Sequence, residues 1–135
     1  MRRLISAMTV GLVLSGTVPL SAQDESTPQE QAVIKEGEVG RLDPGSVKAY
    51  GPVARFQASI AWDEAGGQAP AGHMARTVSY VADCKSGTLT LAAIAVLGSD
   101  GKLIKNTLIP PGAADSAIPK RGSTEARWLR EACSK

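Results

Sequence analysis

The sequence has few of the residues from which active sites are usually built. Its 135 residues include one histidine, two cysteines, two tryptophans, two tyrosines and one phenylalanine. It contains no glycine-rich phosphate loop, no Gly-x-Ser-x-Gly nucleophile motif and no His-Glu-x-x-His zinc motif. Two thiols and one imidazole also fall short of the four protein ligands usual for structural zinc. These absences predict a protein that is not an enzyme and that uses neither a metal nor a cofactor.

The charge balance gives no support to nucleic-acid binding. The formal net charge of +2 comes entirely from Arg2 and Arg3, because the other 13 basic residues equal the 13 acidic residues in number. Most of the few aromatic residues fall on apolar rows of predicted strands or of a predicted helix. They are therefore not expected to form a surface on which bases could stack. We expect no nucleic-acid partner.

The first 22 residues have the pattern of an export signal. Arg2 and Arg3 precede an apolar run over residues 4–18, and the segment ends at Ala22, a small residue suited to signal peptidase. The run is about 15 residues long, whereas a membrane-spanning helix needs about 20, although an uncleaved anchor is the alternative. No cysteine stands at the predicted cleavage point, which disfavours a lipid anchor. We predict removal of residues 1–22, no integral membrane segment afterwards, and a periplasmic or secreted protein that could associate with the outer membrane.

Residues 23–48 differ in composition from the rest of the chain. They hold six acidic and three basic residues, are rich in Gln, Glu, Ser, Pro and Gly, and show no sustained apolar periodicity. This composition predicts a flexible acidic arm ahead of a folded domain over residues 49–135. An acidic arm ahead of a basic domain can fold over its own domain or serve as an interaction tail, and a simple contribution to solubility is the alternative.

The folded domain shows the two-residue period of β-strands. Phe56, Ala58, Ile60 and Trp62 share one face, and the segment from residue 74 to 84 alternates with Arg76 on the outward side. Residues 88–97 are almost continuously apolar, which predicts a central strand covered on both faces. Gly98 to Gly101 predicts a hairpin, and residues 102–109 then return as a more polar edge strand.

A helix closes the domain. Ser123 can cap it, and residues 124–133 contain neither glycine nor proline. Ala126, Leu129 and Cys133 fall on one face, which Trp128 and Ala132 widen. The predicted fold class is therefore α+β: an antiparallel meander of about 4–6 strands, with a C-terminal helix packed on the sheet.

The two cysteines, Cys84 and Cys133, predict one disulfide between the sheet and this helix. Both are assigned to core-facing positions, Cys84 at a strand end and Cys133 on the inner side of the helix. Among the alternatives, a redox pair lacks the Cys-x-x-Cys spacing, and a catalytic thiol would need His73, which lies in a Gly-Pro-Ala loop. In the chain-entropy treatment, closing a loop of roughly 50 residues, as between these two cysteines, contributes about 4 kcal/mol to stability.

Three other groups of residues are weaker candidates. His73 could act as an acid or base, with a solvated loop histidine as the alternative, and Asp63 and Glu64 could pair as carboxylates or simply form a turn. A basic patch for heparin-like chains, anionic lipid or nucleic acid could form before and along the last helix, with a solvated helix face as the alternative. Its residues are Lys120, Arg121, Arg127 and Arg130.

Several short motifs give the chain a resemblance to a known family. They are Asp83-Cys84 at a strand end, Asp100-Gly101 in a hairpin, Ile118-Pro119, and Gly122-Ser123 with Glu125 before a helix carrying Cys133. Over residues 74–135 the sequence resembles the surface-adhesin protein E family of exported bacterial domains. The resemblance implies an antiparallel sheet with a C-terminal helix tethered by one disulfide. It also implies binding to host extracellular proteins, because the best-studied type is an outer-membrane adhesin.

Two functions follow from these observations. The first is a protein-binding module that contacts an envelope protein or a host extracellular protein through an exposed edge strand or through the acidic arm. The alternative is a small structural or stress-associated periplasmic protein without a specific ligand.

Overall fold

The structure is a computed structural model, and it describes residues 27–134. The predicted signal segment, residues 1–22, lies outside the described residues. Within residues 27–134, two α-helices, six β-strands and two short 3-10 turns follow one another. In order, they are α1 (Pro28–Gln31), β1 (Glu38–Leu42), a turn (Pro44–Ser46), β2 (Lys48–Tyr50), β3 (Val53–Trp62), a turn (Glu64–Gly66), β4 (Ala75–Asp83), β5 (Thr88–Leu97), β6 (Leu103–Leu108) and α2 (Thr124–Cys133).

The strands form one antiparallel sheet in the order β1-β3-β4-β5-β6, which confirms the predicted meander and the α+β class. β1 and β2 both pair with β3, β1 along one half and β2 along the other. Between them, Asp43 accepts a hydrogen bond from the amide of Gly45 (3.1 Å) and caps the first 3-10 turn. This turn interrupts the outer edge of the sheet on that side.

The core lies on one face of the sheet, beneath α2. Along β3, the side chains of Ala54, Phe56, Ala58 and Ile60 are buried, whereas those at the intervening positions 55, 57 and 59 are exposed, as the alternation predicted. Trp128 of α2 is fully buried, and its ring centroid lies 6.2 Å from that of Phe56. The predicted half-buried strand is therefore confirmed, and one aromatic cluster joins it to the helix.

Glycine at position 40 allows β1 to lie close to this aromatic cluster. A Cβ atom at Gly40 would lie 2.6 Å from Cζ2 of Trp128 and 2.8 Å from Cδ1 of Ile34. Because real Cβ contacts are longer than this, any larger residue would force the strand and the indole apart. β1 thus covers the edge of the indole at a distance that only glycine permits.

The helix is rotated relative to its predicted face. Ser123 caps α2 by accepting a hydrogen bond from the amide of Ala126 (3.1 Å), as expected from the sequence. The buried residues of α2 are Trp128 and Ala132, while Leu129 and Cys133 are only partly buried. The buried face of α2 is therefore centred on Trp128, because the largest apolar side chain of the helix gains most from burial.

The prediction that β5 is covered on both faces is wrong. Its buried residues, Leu89, Leu91 and Ile94, face the core, with the alternation shifted by one residue where the register against β4 changes, and no described element covers the opposite face. The strand reads as continuously apolar because its open face carries alanines, including Ala93 and Ala95. Burying such small side chains would remove little apolar surface from water, so the open face gains little from a covering layer.

The prediction of a flexible arm over residues 23–48 is wrong for the part that the structure describes. Thr27 and Glu30 form a reciprocal capping box at α1, Ala32 is buried in the core, and β1 pairs with β3. Ile34 and Leu42 pack against the same core. Each apolar residue comes from a different short element, so no regular period appears in the sequence. Residues 27–48 are part of the domain and complete its core.

Candidate functional site

The predicted disulfide between Cys84 and Cys133 is confirmed. The two Cα atoms lie 5.6 Å apart, and the bond joins cysteines that are 49 positions apart in the sequence. Cys84 stands one residue beyond β4 and is exposed, and its amide donates a hydrogen bond to the carbonyl of Pro52 (2.8 Å). Cys133 is half-buried in the last turn of α2. The bond thus lies at the rim of the core, and the prediction that Cys84 faces inward is wrong.

A buried charged cluster, formed by Arg76, Glu38 and His73, joins the N-terminal segment to β4. The side chains of Arg76 and Glu38 are 8% and 2% exposed. Nη1 and Nη2 of Arg76 donate to the two carboxylate oxygens of Glu38 at 2.5 and 2.8 Å. The prediction that Arg76 lies on the outward side of its strand is wrong. Because residues 76 and 78 share a face, Arg76 points inward beside Val78.

Arg76 also holds the chain that crosses over it. Its Nε donates to the carbonyl of Gln31 (2.8 Å), and Nη2 donates to the carbonyl of Val33 (2.8 Å). A buried guanidinium requires such partners, since an unpaired charge in the interior is strongly destabilising. The hydrogen bonds from Arg76 lower the pKa of Glu38 to about 2, against the effect of its burial. Glu38 is therefore ionised at any physiological pH.

His73 belongs to the same cluster. Its Nε2 lies 2.7 Å from Oε2 of Glu38, and its ring stands edge-on to Trp62 with centroids 5.6 Å apart. The indole of Trp62 in turn donates to the carbonyl of Gly67 (3.1 Å) and so holds the following loop. His73 is thus neither a freely solvated loop histidine nor a base in an open cleft. The geometry is that of a structural connection between β1, β4 and the loop.

The residues of the predicted basic patch are all exposed. Lys120 and Arg121 lie in the turn before α2, and Arg127 and Arg130 lie on the outward side of the helix. Within residues 27–134, none of their side chains forms a hydrogen bond or an ion pair.

The other candidate pair, Asp63 and Glu64, forms a turn. Asp63 accepts a hydrogen bond from the amide of Ala65 (3.1 Å) and caps the second 3-10 turn.

The edge strand β6 exposes both backbone groups and apolar side chains. It pairs with β5 on one side only, and the exposed fractions of Leu103, Ile104 and Leu108 are 59%, 60% and 74%. The amide of Ile109 donates to the carbonyl of Ala92 (2.9 Å), toward β5. Because amide direction alternates along an antiparallel strand, the amides of Leu108 and Asn106 point away from β5. This edge is available for a further strand.

Two further properties of the described part of the chain concern membrane-spanning helices and metal binding. Neither of its helices is long and apolar enough to cross a membrane. Residues 27–134 contain no group of three or more His, Cys, Asp or Glu side chains that could hold a metal ion.

Comparisons with known proteins find no family model that matches the sequence, no similar curated protein and no matching solved structure. The resemblance to the surface-adhesin protein E family therefore stays a prediction.

Proposed function

We propose that this chain is a non-enzymatic, exported protein-binding domain that binds an extended segment of a partner protein along β6. The observation that carries the proposal is the exposed edge of β6, with outward amides at Asn106 and Leu108 and with three exposed large apolar residues. Addition of a strand to such an edge is a common mode of peptide recognition. The backbone supplies affinity, and alternate side chains supply specificity.

Of the two binding elements that the sequence suggests, an exposed edge strand and the N-terminal arm, we favour the edge strand, which is β6. The sequence allowed binding through the N-terminal arm, but residues 27–48 contribute Ala32 to the core and Glu38 to the buried cluster. The opposite edge of the sheet is divided between β1 and β2 by a 3-10 turn. β6 runs from Leu103 to Leu108 with one register shift, at Ile104, and its regular part, residues 105–108, can pair with a further strand.

Charge favours a partner protein over a second copy of this chain. Lys102 and Lys105 lie in and next to β6, and no acidic residue occurs between residues 101 and 109. Lysines on an edge strand disfavour pairing with an identical edge, because the like charges would be brought together. An extended segment with acidic and apolar residues would complement both the lysines and the exposed leucines. Export is proposed from the signal pattern, and it agrees with a disulfide, which persists in oxidising compartments.

A pair of substitutions at Asn106 tests the backbone contact. Proline is tolerated on an edge strand where the amide faces solvent, so Asn106→Pro removes one outward donor while β6 stays paired with β5. Asn106→Ala removes the same side chain and keeps the amide. Peptides are selected from a random display library on the unmodified domain. We expect them to combine acidic and apolar residues, to bind Asn106→Ala normally and to bind Asn106→Pro about tenfold more weakly.

The folding of both variants is checked by circular dichroism and thermal melting. Equal binding of the selected peptides to the two variants would overturn the proposed edge contact. A library that yields no enriched peptide would also overturn it, and would favour the alternative of a structural or stress-associated protein without a specific ligand.

A further inference from the structure

A small cavity opens between the two helices and the covered face of the sheet, and no residue of β6 lines it. Its volume is about 170 Å³. The walls are mostly apolar, with Ala32 from the end of α1, where it is the C-cap residue, Leu89 and Leu91 from β5, and Pro119 from the segment before α2. A buried apolar cavity of about 150 Å³ is large enough to hold a benzene molecule. This cavity is similar in volume but open to solvent, so it can take one end of a short organic chain.

Four residues with polar side chains line the same cavity: Gln29, Tyr80, Asp115 and Glu125. Gln29 and Asp115 are exposed, whereas Tyr80 and Glu125 are half-buried. Among residues 27–134, the side chains of Tyr80, Asp115 and Glu125 have no hydrogen-bond partner, and no basic side chain forms an ion pair with either carboxylate. Burial, together with the charge of Glu125, raises the pKa of Tyr80 to about 12. At neutral pH the cavity thus offers one protonated hydroxyl and two uncompensated negative charges beside apolar walls.

A few convergent polar groups in an otherwise apolar cavity are the usual features of a ligand site. The two carboxylates repel anions and favour a cation, while the walls favour a methylene chain. A primary ammonium has three donors and accepts none, so it can donate to one hydroxyl oxygen and to two carboxylates. From this complementarity we propose that the cavity binds an alkylammonium group, carried either by a small free amine or by a lysine side chain.

The binding test uses n-pentylamine as the probe at neutral pH, with backbone amide chemical shifts as the readout. So small a ligand is expected to bind in the millimolar range, with saturable shifts at Leu89, Leu91 and Ala117. The neutral analogue 1-pentanol has a similar chain without the charge and should bind at least about tenfold more weakly. Equal affinity for the alcohol, or the absence of saturable shifts with the amine, would overturn the proposal.

Two variants of α2 provide a matched control for the charge. Glu125→Gln removes a carboxylate that lines the cavity, and Glu131→Gln removes an exposed carboxylate from the same helix. We expect amine affinity to fall about tenfold in Glu125→Gln and to remain unchanged in Glu131→Gln. Because Glu125 also stabilises the first turn of the helix, Asp115→Asn serves as a second test outside the helix. Unchanged affinity in both Glu125→Gln and Asp115→Asn would contradict the proposed site.

A blocked lysine, Nα-acetyl-lysine methylamide, distinguishes the two sources of the ammonium group. Shifts at the same amides, with an affinity similar to that of pentylamine, would assign the cavity to lysine side chains of proteins. Binding of pentylamine without binding of the blocked lysine would assign it to small free amines. Since the cavity and β6 are lined by different residues, failure of either test leaves the other proposal standing.

Discussion

The buried pair of Glu38 and Arg76 predicts a large and pH-dependent loss of stability in the variant Glu38→Gln. Lowering the carboxyl pKa from 4.5 to about 2 corresponds to about 3 kcal/mol of folding free energy at neutral pH, since each pKa unit is worth about 1.4 kcal/mol. Glutamine keeps the shape of the side chain but leaves the Arg76 guanidinium without its counter-charge. Breaking a buried pair in this way costs about 3–5 kcal/mol. We therefore expect a loss of about 3 kcal/mol at pH 7.

The loss should shrink as the pH falls. The pKa of Glu38 is lower in the folded state than in the unfolded state, so its contribution is complete above pH 4.5 and declines as the pH falls toward about 2. Below that pH the unmodified Glu38 is itself protonated and resembles glutamine. The stability difference between the unmodified chain and Glu38→Gln should thus be largest near neutrality and small near pH 2.

Urea unfolding followed by tryptophan fluorescence measures both effects, because Trp62 packs against His73 of the cluster and Trp128 is fully buried in the core. Glu64→Gln is the matched control, since Glu64 is exposed. If Glu38→Gln is too unstable to fold, NMR titration of the Glu38 carboxyl in the unmodified chain gives its pKa directly. A stability loss within about 0.5 kcal/mol of the control, or a carboxyl pKa near 4.5, would refute the reasoning.

Two further predictions concern the disulfide and the aromatic cluster. Reducing the bond between Cys84 and Cys133 should remove about 4 kcal/mol and lower the melting temperature by roughly 15 °C or more. A serine double variant at both positions should melt at this lower temperature with or without reductant. An unchanged melting curve of the unmodified chain in reductant would contradict the structural role of the bond. Gly40→Ala should destabilise the domain by about 1–3 kcal/mol, because the new methyl group meets Trp128. Gly66→Ala, where the added methyl meets nothing within 4 Å, is the control, and equal urea midpoints for the two variants would contradict this packing.

Regular elements and the disulfide could be predicted from the sequence because their signals are local. β3 alternates cleanly between buried and exposed residues, and α2 begins at a serine that caps it. The two cysteines were paired correctly because a cross-link needs only two thiols in elements that meet. The position of Cys84 was missed because it follows the last paired residue of β4, where the alternation of the strand no longer applies.

The N-terminal segment and the charged cluster could not be predicted because their signals are distributed. Ala32 and Leu42 pack into one core from separate short elements. The composition of residues 27–48 therefore predicted a flexible segment, although tertiary packing orders it. Arg76 lies two residues before Val78, so the two side chains share one side of β4. Its place in the same row as the apolar Val78 was the sequence signal that Arg76 is buried. A buried arginine requires an acid, but Glu38 lies 38 residues away and only the fold brings it close.

Binding along β6 is tested most directly by hydrogen exchange of backbone amides with and without a saturating peptide selected on the domain. Paired amides exchange more slowly than amides that face solvent. We predict that the outward amides of Asn106 and Leu108 become protected when the peptide binds, while those of β1 and β2 keep their rates. Protection elsewhere, with Asn106 and Leu108 exchanging as fast as in the free domain, would contradict binding at this edge.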